Sequence, residues 1–182
     1  MGKQLIIFFV ITLLLISGNV FSQIKKEVDN QIFVTFPCNP NYSLNNKVST
    51  YNCLTNNCFY NVMVLKNILP NEAYEVYIKN ELQWTDIEKQ EIDNRILNGF
   101  IKGYLYELNT TGTITELKNA NYLGKAIEYY AINPLDGEKG KRYAVVFFVR
   151  NTILTFDVMF LKGVNDISEK EKNMFLNSII LN

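Results

Sequence analysis

The chain has 182 residues, with 18 basic and 18 acidic side chains and no histidine. A near-neutral charge without any Lys- or Arg-rich block argues against nucleic-acid binding, which draws its affinity from neutralising phosphates. The missing histidine removes Ser-His-Asp and Cys-His nucleophile pairs together with histidine-rich zinc and non-haem iron sites, leaving carboxylate, Ser-Lys or tyrosine chemistry, or none.

At the start, Lys3 precedes the apolar run "LIIFFVITLLLI" from Leu5 to Ile16, and "NVFSQ" then sets Val20 and Ser22 at −3 and −1 of a cleavage site before Gln23. That is the layout of a secretory signal peptide over residues 1–22, and the run is shorter than a membrane span requires. Residues 23–182 are expected to form one domain, exported to the periplasm or beyond, with no stable membrane insertion after cleavage. No cysteine stands at the new terminus to accept a lipid.

In chain order, "IFVTFP" (Ile32 to Pro37) reads as a first or edge strand stopped by proline. "KVSTYNC" and "CFYNVMVLKN", separated by "LTNN", read as a hairpin. "EAYEVYIKNEL" fits either period and is taken as a helix. "TDIE" at Thr85 to Glu88 is a capping box, opening a helix of about six turns whose apolar row is Ile92, Ile96, Phe100, Tyr104 and Leu108, with Leu97, Ile101 and Leu105 widening the stripe. Three strands follow, Gly124 to Ile132, Tyr143 to Arg150 and Ile153 to Leu161. The last two, "YAVVFFV" and "ILTFDVMFL", are apolar at consecutive positions, so both of their faces are expected to be covered. Ser168 and Glu171 repeat the capping box before a short helix carrying Met174, Phe175, Ile179 and Leu181 on its apolar side.

Cys53 and Cys58 flank the predicted hairpin turn, and in an oxidising compartment they are expected to form a disulfide. Their C-x4-C spacing lacks both the redox motif and a companion pair for zinc. Cys38 is left as a buried thiol or as a competitor for either. "PLDGEKGKR" lacks the glycine spacing and the Ser or Thr of a phosphate-binding loop, and it leads into a strand. Asp86, Glu88, Glu91 and Asp93 sit where the helix dipole favours acids, with Arg95 four residues beyond Glu91. No catalytic, cofactor or metal residue is assigned. A possible recognition surface is assigned to Trp84, Asp136, Lys139, Lys141 and Arg142, because loops on a rigid scaffold carry recognition.

The second half, "LGKAIEYYAI", "KRYAVVFFVRNTILTFDVMF" and "EKNMFLNSIIL", resembles the PsbP-like family, whose fold is shared with a Ran-binding nuclear import factor. The matching pattern is a glycine-led strand, an Arg-initiated strand in a hairpin, and a last helix ending in Phe-x-x-Ser-apolar, here Phe175 to Ile179. The resemblance implies an α+β fold, an antiparallel sheet of about six strands covered by helices on both faces, in a secreted bacterial branch of the family. It transfers no catalytic motif. The expected function is therefore a non-catalytic extracytoplasmic binding or accessory protein with an unknown protein or small-ligand partner. The alternatives are a carboxylate- or tyrosine-dependent hydrolase, or a carrier of a small apolar ligand.

Overall fold

The computed structural model describes residues 23–133 and 136–182. The expected signal peptide, and Pro134 and Leu135 of the "PLDGEKGKR" loop, lie outside the described residues. β1 (Ile24–Asp29) and β2 (Ile32–Phe36) form a hairpin, and two further hairpins follow in β3 (Asn41–Asn45), β4 (Val48–Leu54) and β5 (Cys58–Lys66). Helices α1 (Asn71–Glu81) and α2 (Asp86–Glu107) come next. The chain continues as β6 (Gly112–Asn119), β7 (Tyr122–Ile132), β8 (Lys139–Val149) and β9 (Thr152–Phe160), then α3 (Asp166–Asn177) and β10 (Ile180–Leu181).

These strands build a seven-stranded antiparallel sheet in the order β3-β4-β5-β9-β8-β7-β6, and a small sheet in the order β1-β2-β10. The β-branched and aromatic runs of β8 and β9 occupy the middle, as expected of segments that fit a pleat buried on both sides. Arg150 and Asn151, both at positive φ, make the two-residue turn between them. The Asn151 side chain then grips the chain entering α1, accepting from Leu69 N at 2.7 Å and donating to Leu69 O at 3.1 Å. At the start of β7, a Cβ on Gly124 would meet the Phe147 ring at 2.5 Å. Only glycine leaves room for that ring.

The sheet has two covers. Under α1 and α2 lie Ile127, Ala144, Val146, Phe148 and Ile153, packed on Leu97, Ile101 and Leu105. On the other face, Phe147, Leu154, Phe156, Val158, Tyr60 and Val62 meet Ile32, Val34 and Phe36 of the small sheet and Phe175 of α3. The α+β class and the antiparallel sheet are as expected. The sheet is wider than the six strands anticipated, and its second face is covered by the small sheet with α3 beside it. Helices α1 and α2 cover the first face, and α3 contributes Phe175 to the second beside the small sheet.

Three local expectations also change. The stripe of α2 is buried along Leu97, Ile101 and Leu105, the residues expected only to widen it, while Ile92, Ile96, Phe100, Tyr104 and Leu108 are partly buried. A row read at every fourth residue drifts around a helix of 3.6 residues per turn, so a long stripe must alternate threes and fours. The last helix begins three residues early: Asn165 caps it, its Oδ1 accepting from Ser168 N at 3.0 Å, while Ser168 Oγ accepts from Asn165 N at 3.0 Å. Glu171 is thereby freed from capping. Finally, Ile180 and Leu181 leave the helix as β10 and pair with Phe33 and Ile32.

The expected Cys53–Cys58 disulfide does not form; the bridge is Cys38–Cys53, with Cα atoms 5.9 Å apart, and Cys58 is a free, buried thiol. The register explains this. Cys53 stands opposite Tyr60 and Leu54 opposite Phe59, which makes Cys58 a diagonal neighbour of Cys53. Diagonal positions lie about 7–8 Å apart, beyond the separation a disulfide spans. Laying β3 beside β4 instead carries Cys38, just after Pro37, up to Cys53.

Candidate functional site

A cleft of about 630 Å³ opens between β2 and α3, with Thr35, Pro37, Ile167, Met174, Phe175 and Ser178 in its wall. Its shape follows from the cap at Asn165. Starting α3 there places Ile167 and Met174 seven residues apart along one side of the helix, 62% and 48% exposed, while Phe175 turns inward onto Phe36 and Tyr60. The polar groups beside this wall are already engaged in the fold. Ser178 Oγ accepts from Thr35 N at 2.8 Å and donates to Phe175 O at 2.7 Å. Glu171 accepts from Asn57 Nδ2 at 2.8 Å, Tyr60 OH at 3.1 Å and Thr55 Oγ1 at 3.2 Å, tying α3 to the β4–β5 turn. What faces the opening is mainly apolar, with Asp166, Lys170 and Gln23 at its rim.

A second constellation is buried beneath α2. Tyr129 OH donates to Asp157 Oδ1 at 3.2 Å, Tyr104 and Tyr129 share a hydrogen bond at 2.8 Å, and Arg142 forms an ion pair with Asp157. The register dictates the meeting, since Tyr129 stands opposite Arg142 and Asp157 opposite Ala144 on one face of neighbouring strands. Burial pushes the Asp157 carboxyl up, opposed by the Arg142 guanidinium. Burial also raises Tyr104 to about 12 and Tyr129 further. The two tyrosine hydroxyls therefore keep their protons near neutral pH. Asp157 has no exposed surface and Tyr129 almost none, so no substrate atom reaches the carboxylate.

The five residues assigned to a recognition surface are not brought together. Asp136, Lys139 and Lys141 line a polar cleft of about 320 Å³ with Tyr130 and Glu138. Within it, Asp136 accepts from Asn133 Nδ2 at 2.8 Å and from Glu138 N at 2.9 Å, and Lys141 pairs with Glu128 at 2.6 Å. Arg142 must be corrected: alternation along β8 turns it away from the loop and into the pair with Asp157. Trp84 lies toward the other end of β8, edge-on to Tyr77 at 5.4 Å, with Tyr77 in turn against Phe148.

The acidic cluster at the start of α2 is dispersed into separate structural tasks. Glu88 completes the Thr85 capping box, and the hydrogen bonds from the Thr85 backbone and hydroxyl hold its carboxyl below the ordinary range. Asp93 is buried, accepting from Tyr77 OH at 2.7 Å and Lys89 Nζ at 2.9 Å. Among the described residues, no group of three or more Cys, Asp or Glu is placed to hold a metal ion. Sequence reasoning missed Asp157, although a lone carboxylate inside a strand with both faces buried is itself a signal that a cation must lie opposite. It also missed the cleft, whose wall depends on where α3 starts.

No family model matches the chain, and no curated protein matches it. Among solved structures it is similar to the solution structure of cyanobacterial PsbP (CyanoP) from Synechocystis sp. PCC 6803, with a TM-score of 0.49 and 11% sequence identity over 91% of this chain and 96% of that chain.

Proposed function

We propose that this is a non-catalytic extracytoplasmic binding or accessory protein whose ligand-facing surface is the cleft between β2 and α3. The observation that carries the reading is the division of polarity. The buried Arg142–Asp157 pair and its tyrosines are tied to one another under α2, whereas the larger of the two clefts presents Pro37, Ile167 and Met174. Its volume falls in the range of small-molecule sites, which favours a small apolar or amphiphilic ligand. The Cys38–Cys53 bridge suits an oxidising compartment, in keeping with the export signal read at residues 1–22. Among the described residues no helix is long and apolar enough to cross a membrane. A hydrolase would need converging carboxylates open to substrate, and Asp157 and Asp93 are both enclosed.

Titration with the apolar fluorophore N-phenyl-1-naphthylamine tests this reading. The protein should enhance its emission saturably, and Ile167→Asp and Met174→Asp should each weaken binding at least tenfold with the circular dichroism spectrum unchanged. Absence of saturable binding, or binding indifferent to both changes, would sink the cleft assignment. Turnover of an ester, glycoside or peptide substrate that Asp157→Asn abolished without unfolding would overturn the non-catalytic reading.

A further inference from the structure

The seven-stranded sheet ends in two edges of different character. The β6 edge carries Glu116 and Lys118, the charged side chains with which proteins ordinarily protect an exposed strand from pairing. The β3 edge, Asn41–Asn45, carries no charge, proline or bulge and is exposed along its whole length, with Tyr42 56% and Leu44 62% exposed.

The direction of the free hydrogen-bonding groups on β3 follows from the neighbouring strand. Lys47 O accepts from Lys66 N at 3.2 Å, so the odd-numbered residues of β4 bond toward β5 and the even-numbered ones toward β3. Asn52, Thr50 and Val48 stand opposite Asn41, Ser43 and Asn45. Those three β3 residues therefore bond inward, and Tyr42 and Leu44 present their N–H and C=O groups to the outside.

We infer that β3 is a dimerisation edge, at which a second copy of this chain adds its own β3 antiparallel about a two-fold axis through Ser43. In this register Tyr42 of each copy stands opposite Leu44 of the other, and every outward N–H and C=O of both residues is paired. The two apolar side chains meet on one face, a cross-strand contact that stabilises a sheet. The neighbouring symmetric registers are poorer. Centring on Tyr42 sets Leu44 against Pro40, which has no N–H, and centring on Leu44 sets Tyr42 against Asn46, whose φ of 53° takes it out of the strand. A two-fold contact closes on itself and leaves the charged β6 edges at the two far ends.

The test is light scattering coupled to size-exclusion chromatography over a hundredfold range of concentration, combined with charge substitutions. The wild type should pass from monomer to dimer. Tyr42→Glu with Leu44→Glu, which sets like charges opposite each other across the axis, should shift the dissociation constant upward at least tenfold. Tyr42→Lys with Leu44→Glu sets opposite charges across the axis and should restore dimerisation. The register is read independently by Ser43→Cys in a Cys58→Ser background: it should form a covalent dimer on mild oxidation, because the residues on the axis stand at the closest cross-strand spacing. Leu44→Cys in the same background should not. A wild type that stays monomeric throughout, a dimer insensitive to the paired glutamates, or open polymers from β3 meeting β6 would each overturn the inference.

Discussion

The two faces of the large sheet are filled by different chemistry, although they are made by alternate residues of the same strands. In β9, Leu154, Phe156, Val158 and Phe160 turn toward the small sheet and α3, whereas Ile153, Thr155, Asp157 and Met159 turn toward α2, and all are buried. The first set meets Phe36, Tyr60 and Phe175 in an apolar core. The second includes an ion pair, a tyrosine relay and a Thr155 hydroxyl that has no partner among the described residues. One face is thus held by area and shape, and the other partly by mutual satisfaction of polar groups. Substitutions should expose that difference because burial costs a charge far more than it costs a ring.

The largest effects should come from single truncations on either face, with different remedies. Phe175→Ala should cost about 3–5 kcal/mol through the cavity it leaves among Phe36 and Tyr60. Arg142→Met should cost a similar amount, about 3–5 kcal/mol, because Asp157 is left as an unpaired buried charge. Urea denaturation reads both. Adding Asp157→Leu to Arg142→Met should recover most of the loss, since replacing a whole buried pair by apolar residues is often neutral or stabilising. If the double variant is no better than the single one, the polar face is held by more than mutual neutralisation.

Alkaline pH should strike both faces together. Burial raises the Cys58 thiol from 9.0 to about 12 on the apolar face, and the Tyr104 hydroxyl from 10.0 to about 12 under α2. The native state keeps these protons at pH values where the unfolded chain has released them, so stability should fall as pH rises from about 9 toward 12. Denaturation midpoints at pH 8 and pH 10.5 check the sign, and Cys58→Ser should remove part of the decline. The smallest effects belong to the covers. Thr85→Ala on α2 and Asn165→Ala on α3 should each cost about 1 kcal/mol, and an Asn165→Ala loss below a few tenths would count against the observed start of α3.

The parts of this fold that were legible in the sequence are those where burial leaves a periodic trace. β8 and β9 announced a doubly covered core, and "TDIE" marked the start of α2. Strands such as β3 and β6 left no such trace because exposure removes the alternation on which the reading depends. The disulfide was misread for a related reason: the hairpin was correct, but a two-residue offset along β5 separates a bridgeable pair from a diagonal one. The site was least legible of all. Nothing in "NDISEKEKNMF" says that Asn165 caps the helix in place of Ser168, and that choice is what points Ile167 and Met174 along the cleft. Asp157 was visible as a charge among apolar residues, but its partner, Arg142, is close only through strand register.

Binding is proposed for the cleft and a structural part for the polar groups under α2, and one measurement separates the two. N-phenyl-1-naphthylamine affinity should be determined for the Arg142→Met/Asp157→Leu variant beside the wild type and Met174→Asp. The prediction is that the double variant binds as the wild type does while Met174→Asp loses at least tenfold. A folded double variant that had lost binding, with Met174→Asp unaffected, would place the functional site beneath α2 and contradict the account.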